Sequence, residues 1–244
     1  MSYDITSFLL NNNFILVYGI ALIISLIRYN KYFESVLKYF PIIIAYTFFN
    51  EILGGYIRNN ESIQIVFMEE QALNNNLIFN IFDIVFFLYF YFIFYKSIES
   101  PDKKKWIKTG AILFIVTCVL NLFFQNFVLY PQVYAIIVGS LNLLLCILLS
   151  FTQLSQQKSG LPKSKNLLFW ISIGLLIFYF AYPIIMTIAI YFPEIHRELN
   201  VRQIHHFLIC LMYTCFIIGF IKPRKFCKSG SISSVLICFN KLPL

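Results

Sequence analysis

The sequence predicts an all-α fold: a polytopic membrane bundle of seven transmembrane helices, N-terminus outside and C-terminus inside. Three observations lead there. Hydrophobic residues make up 59% of the 244 residues and charged ones only 12%, too few to solvate a water-soluble domain of this length. Seven apolar stretches, at about 8–27, 41–57, 77–95, 107–127, 134–154, 167–191 and 204–221, each approach the roughly 20 residues that an α-helix needs to cross hydrocarbon. The 19 Lys and Arg residues fall sixteen to three on alternate sides of those stretches.

The elements follow in order. No Lys or Arg precedes the first stretch, and without a basic leader or a small-residue cleavage site it reads as a retained span, not a removed signal peptide. Arg28, Lys31 and Lys38 follow it. After the second stretch comes Arg58 alone, then Glu61, Glu69 and Glu70 around the apolar run 63–68. That pattern fits a short helix lying on the outer surface. Asn60-Glu61-Ser62 matches the glycosylation acceptor pattern, a short motif that recurs by chance. Five lysines (Lys96, Lys103, Lys104, Lys105, Lys108) separate the third and fourth stretches, with the breaker Ser100-Pro101-Asp102 among them. No basic residue separates the fourth from the fifth. Lys158, Lys163 and Lys165 follow the fifth, and Arg197 and Arg202 the sixth. A Ser-rich tail, 222–244, carries Lys222, Arg224, Lys225, Lys228 and Lys241, and its apolar run 235–239 is too short to span again. Basic residues near span ends stay cytoplasmic, which sets the orientation. Tyr29, Phe33, Tyr56, Tyr130, Tyr191 and Phe192 at the ends suit aromatic belts.

Composition also excludes. The net charge of +8 is a topology signal and a source of attraction to anionic lipid at the inner surface, not a nucleic-acid footprint. Cys118, Cys146, Cys210 and Cys215 lie in spans and Cys227 and Cys238 in the tail, so none sits where a disulfide would persist; they read as small packing residues. Ala135 and Gly139 form a small-xxx-small pair for close helix approach. No internal repeat, P-loop, GxSxG, HExxH or kinase core occurs, and the seventh span has no lysine for a retinal. No cofactor is expected.

Ionisable groups inside a span are costly and are functional candidates by default. Two acids qualify, Glu51 and Asp83. At 1.5 Å per residue both lie about 9 Å below the outer edge of the hydrocarbon. Asn50 precedes the first. Asn76, Asn80 and Asp83 recur at intervals of four and three and form one polar stripe. Thr117, Asn121 and Gln125 repeat every fourth residue in the fourth span; Tyr179, Tyr182 and Pro183 mark the sixth; His205 and His206 open the seventh, about 100° apart. The expected site is therefore an outer-half cavity lined by Glu51, Asp83, Asn80, Asn121, Tyr182 and His206, with Asn50 and His205 as neighbours. Glu51, Asp83 and His206 are chemically able to hold zinc, but no motif supports a metal and none is expected. The inner halves of the second, third and seventh spans are nearly all apolar or aromatic.

The stretches 80–92 (NIFDIVFFLYFYF), 166–177 (NLLFWISIGLLI) and 204–208 (IHHFL) resemble a loose family of seven-helix membrane proteins of Bacteroidetes-type bacteria, itself similar to the membrane halves of certain sensor histidine kinases. Where that family has Glu in the third span, this chain has Asp83. The resemblance covers most of the spans and carries no established activity. It implies a bacterial cytoplasmic (inner) membrane protein acting as a sensor or signalling component beside a histidine kinase or other regulator. The cytoplasmic basic face expected to meet such a partner contains Lys103, Lys104, Lys105, Lys108, Arg224 and Lys225. The second reading is a small transporter using the same acids as a proton relay; the third is an intramembrane enzyme acting on lipid.

Overall fold

The computed structural model describes residues 13–59, 75–156 and 166–222. The chain there is helical, and no strand forms among the described residues. The order is α1 (Asn13–Ile27), a 3-10 turn (Tyr29–Lys31), α2 (Phe40–Asn59), α3 (Asn76–Ser97), α4 (Pro101–Asn121), α5 (Val133–Gln156), α6 (Leu167–Tyr191), the short α7 (Pro193–Glu198) and α8 (Val201–Ile221). Five of these, α2, α3, α5, α6 and α8, are long and apolar enough to cross a membrane. A helix satisfies its backbone polar groups internally, the condition for crossing hydrocarbon. The protein is a multi-pass helical membrane bundle.

α1 and α4 depart from the predicted stretches. α1 is described over 15 residues, and residues 8–12 lie outside the described residues. α4 starts at Pro101, where proline's fixed φ and missing N–H suit the first helical position. Its first two turns therefore carry Asp102, Lys103, Lys104, Lys105 and Lys108, which lower its mean hydropathy. It stops at Asn121, short of 127, and residues 122–132 run as turns into α5. The predicted surface helix at 63–68, the Asn60 triplet, Lys158, Lys163, Lys165 and the tail from 223 onward, with Arg224 and Lys225, lie outside the described residues.

Successive helices α1 to α6 are neighbours, and α8 closes the ring by packing on both α6 and α1; α3 also packs on α5. One end of the bundle, the lysine end, carries Lys38, Lys96, Lys103 and Lys222; the other, the asparagine end, carries Asn75, Asn76 and Asn121. From the middle to the lysine end the interior is aromatic. Phe40 lies 5.9 Å from Phe90 and 5.2 Å from Phe216, Phe90 lies 4.7 Å from Phe86, and Phe86 reaches Tyr179 at 5.7 Å. Phe87 links Tyr179 (5.1 Å) to Phe114 (5.2 Å). These contacts join α2, α3, α4, α6 and α8 by ring packing.

Lipid tails are as apolar as Leu, so the closest helix pairs need small residues at their contacts. α6 and α8 form the most extensive pair in the bundle. A Cβ added to Gly174 would stand 2.8 Å from the Met212 carbonyl oxygen, and one on Gly219 would stand 2.9 Å from Leu167 and Trp170 side chains. α4 meets α5 at Gly110, where an added Cβ would run into the Asn142 side chain. Gly139, from the predicted small-xxx-small pair, instead receives the Phe87 and Phe114 rings.

Gly174→Ala is expected to lower the thermal unfolding temperature of the detergent-solubilised protein, with a cost of about 1–3 kcal/mol from overpacking against backbone. Gly19→Ala, whose Cβ would meet Phe48 at an ordinary 3.5 Å, is the tolerated control. Equal melting of the two variants would contradict the close-contact account of α6 and α8.

Candidate functional site

The site is built on an irregular piece of backbone. Residues 122–132 are not helical, and exposed carbonyls in an apolar surrounding cost several kcal/mol each unless protein groups meet them. The asparagine stripe of α3 supplies those groups. Asn80 Nδ2 donates to the carbonyls of Phe127 (2.7 Å) and Tyr130 (2.9 Å), and Asn80 Oδ1 accepts from the Gln132 amide (3.2 Å). One turn away, Asn76 Nδ2 donates to the Leu129 carbonyl at 2.7 Å. From α4, Asn121 Nδ2 donates to the side-chain oxygens of Gln125 and Gln132, and the Val133 amide donates to Gln125. Asn80 and Asn121, both expected at a ligand site, thus spend their donors holding a connector.

Asp83, one turn further along the stripe, reaches across the bundle to α6. Its Oδ2 accepts from the Tyr182 hydroxyl of α6 at 3.2 Å. The Tyr182 ring lies in a cluster with Phe178 (5.0 Å, 25°) and His205 of α8 (5.7 Å, 23°), and those two rings are 5.6 Å from each other. His205 is half-buried, and its Nε2 is buried with no hydrogen-bond partner among the described residues. His206 points toward α1, its ring 4.3 Å from Phe14. Of the two histidines it is therefore His205 that meets Tyr182, because a 100° step about α8 separates them.

Glu51 of α2 is half-buried and lies near enough to Asp83, Tyr182, Tyr18 and Tyr213 for charge to act between them. Asn50 is buried and its Nδ2 has no hydrogen-bond partner among the described residues. Tyr213, which lies outside the site expected from the sequence, packs edge-on to Tyr18 at 4.4 Å. Tyrosines are abundant in this chain, so no periodicity singled these two out.

Asp83 also lines a cavity of about 10 Å³ with Asn80, Gln132, Cys118, Phe87 and Phe114. That is room for about one water and no more. The acid therefore stands between a water-sized space bounded by α3, α4, α5 and the connector, and a tyrosine–histidine stack carried by α6 and α8. Gln132 was missed in the sequence because it falls in a connector beyond Pro131; only its contact with Asn80 and Asn121 brings it to the site.

Among the described residues no group of three or more His, Cys, Asp or Glu side chains is placed to hold a metal ion. At the lysine end, Lys103 Nζ donates to Thr152 Oγ1 of α5 at 2.8 Å, while Lys105 and Lys108 are exposed. Compared with known proteins, the chain matches no family model, no curated protein and no solved structure.

Two outcomes follow from this geometry. Asn80→Ala leaves the Phe127 carbonyl without a donor, the Tyr130 carbonyl with only a long bond from Gln132 Nε2 (3.4 Å) and the Gln132 amide without its acceptor, at about 1–3 kcal/mol for each buried group left unpaired. Hydrogen exchange across residues 126–132 is expected to accelerate more in Asn80→Ala than in Asn76→Ala, which removes the donor to the Leu129 carbonyl; the reverse order would contradict the clamp. In a double-mutant cycle, Tyr182→Phe and Asp83→Asn are expected to be non-additive in thermal stability by about 0.5–3 kcal/mol. Additive effects would mean that the two side chains do not interact.

Proposed function

We propose that the chain is a seven-span membrane sensor of a bacterial cytoplasmic membrane, N-terminus outside, and that the Asp83–Tyr182 pair is its switch. The observation that carries this reading is the position of Asp83, bonded to Tyr182 on one side and open to a water-sized cavity on the other. A cavity of this size admits a proton or a small ion rather than an organic ligand, and a carboxylate at this depth is costly until one arrives. A hydrogen bond to a carboxylate is roughly twice as strong as one between neutral groups. Neutralising Asp83 therefore weakens the tie between α3 and α6.

The consequence travels along α6. Pro183, next to Tyr182, leaves the Tyr179 carbonyl without its helical donor, so α6 has its bending point at the switch. Close packing of α6 on α8 at Gly174 and Gly219 supports transmission to the lysine end. There, inside the cell, a histidine kinase or other regulator reads the change. The sixteen-to-three distribution of basic residues supports this orientation. The aromatic interior favours a switch over a conducting path, because an ion leaving Asp83 toward the lysine end would meet ring faces from Phe86 to Phe40.

The test uses the full chain reconstituted in liposomes, with external pH stepped from neutral to mildly acid. Hydrogen exchange at the lysine ends of α6 and α8 is expected to change in the wild type and in Glu34→Gln, a surface control, and to stay constant in Asp83→Asn. Proton flux through the wild type that Asp83→Asn abolishes would overturn the sensor reading in favour of transport. An unchanged exchange pattern in the wild type would overturn the switch.

A further inference from the structure

Lysines on adjacent faces of α3 and α4 converge where the bundle meets the membrane border. Lys96 lies in the last turn of α3, and Lys104 and Lys108 lie one turn apart on a single face of α4. Lys104 Nζ sits 5.6 Å from the centre of the Tyr95 ring of α3, which ties the two faces together, and Lys96 Nζ sits 5.8 Å from the Phe92 ring. Lys103 is turned away to Thr152 of α5 and takes no part. Like charges four residues apart destabilise a helix by mutual repulsion, and the stretch 96–108 contains only Glu99 and Asp102 as acids. Toward mid-membrane the same two faces expose Phe92 (48%) on α3 and Ile115 (47%) on α4. A cationic rim thus stands directly above an apolar strip, on helices that pack side by side.

We propose that this α3–α4 face binds an anionic phospholipid, with Lys96, Lys104 and Lys108 around the headgroup phosphate and an acyl chain along Phe92 and Ile115. Lysine stems that run along aromatic rings keep their ammonium groups at the depth of the phosphates. The anion relieves the repulsion between Lys104 and Lys108. Charge complementarity selects the headgroup, and the apolar strip requires a lipid rather than a free anion. The site is independent of the sensor reading; it needs only that the chain lies in a bilayer.

The experiment is native mass spectrometry of the full chain released from mixed phosphatidylglycerol and phosphatidylcholine bilayers. The wild type is expected to retain phosphatidylglycerol over phosphatidylcholine, and excess inorganic phosphate to leave that lipid in place. Each single change, Lys96→Gln, Lys104→Gln or Lys108→Gln, is expected to lower the preference about fivefold, the scale of one lysine beside an anionic leaflet. The triple Gln variant is expected to lose it, and a triple Lys→Arg variant to keep it. Lys31→Gln with Lys38→Gln, at the same end but on the connector after α1, is the control that leaves it intact. Wild-type preference in the triple Gln variant, or an equal loss in the Lys31/Lys38 control, would overturn the site in favour of diffuse attraction. Displacement by inorganic phosphate would overturn the lipid assignment. Thermal unfolding in phosphatidylcholine alone confirms that the variants are folded.

Discussion

The rest of the structure depends on how one non-helical stretch of backbone is satisfied. Helices can lie in hydrocarbon because their polar groups pair internally, whereas residues 122–132 have carbonyls that no helix claims. Asn80 and Asn76 of α3 reach three of those carbonyls, and Asn121 with Gln125 and Gln132 completes the polar patch. This patch pins α3 to the α4–α5 turn at the level of Asp83. The acid's register against Tyr182, and the small space beside it, both follow from that attachment.

The two halves of the bundle are held by different forces. At the asparagine end, directional hydrogen bonds set the geometry, and each has few substitutes. Toward the lysine end, aromatic rings fill the centre and glycines let α6 approach α8 and α4 approach α5. Packing of this kind tolerates small rotations better than a network of buried amides does. A bundle with one end clamped and the other packed by rings suits the proposed switch at Asp83.

Much of this was legible in residue order. The intervals linking Asn76, Asn80 and Asp83 place them on one helical face, and the structure puts all three to work from that face. The same pattern could not distinguish ligand contacts from connector bonds, because an asparagine offers identical groups to either. Hydropathy carries the fourth stretch on to 127, since Phe123, Phe124 and Phe127 keep it high, whereas the helix ends at Asn121; the turn is made by amide contacts that hydropathy ignores. The choice between His205 and His206 needed the rotation of α8 about its axis, which neighbouring helices set. Gly174 and Gly219 lie 45 positions apart and meet the same interface only because α6 and α8 run antiparallel as partners.

By itself the sequence determined that this is a helical, multi-pass membrane protein with few acids among its apolar stretches. Those properties follow from composition and from periods along one chain, which survive without knowledge of any neighbour. Tertiary structure alone decided that Asp83 bonds to Tyr182, that His205 covers that tyrosine, and that Gln132 shares the cavity. Each of those is a contact between helices whose rotation and order are set by side-chain packing, and packing has no signature in a single strand of residues.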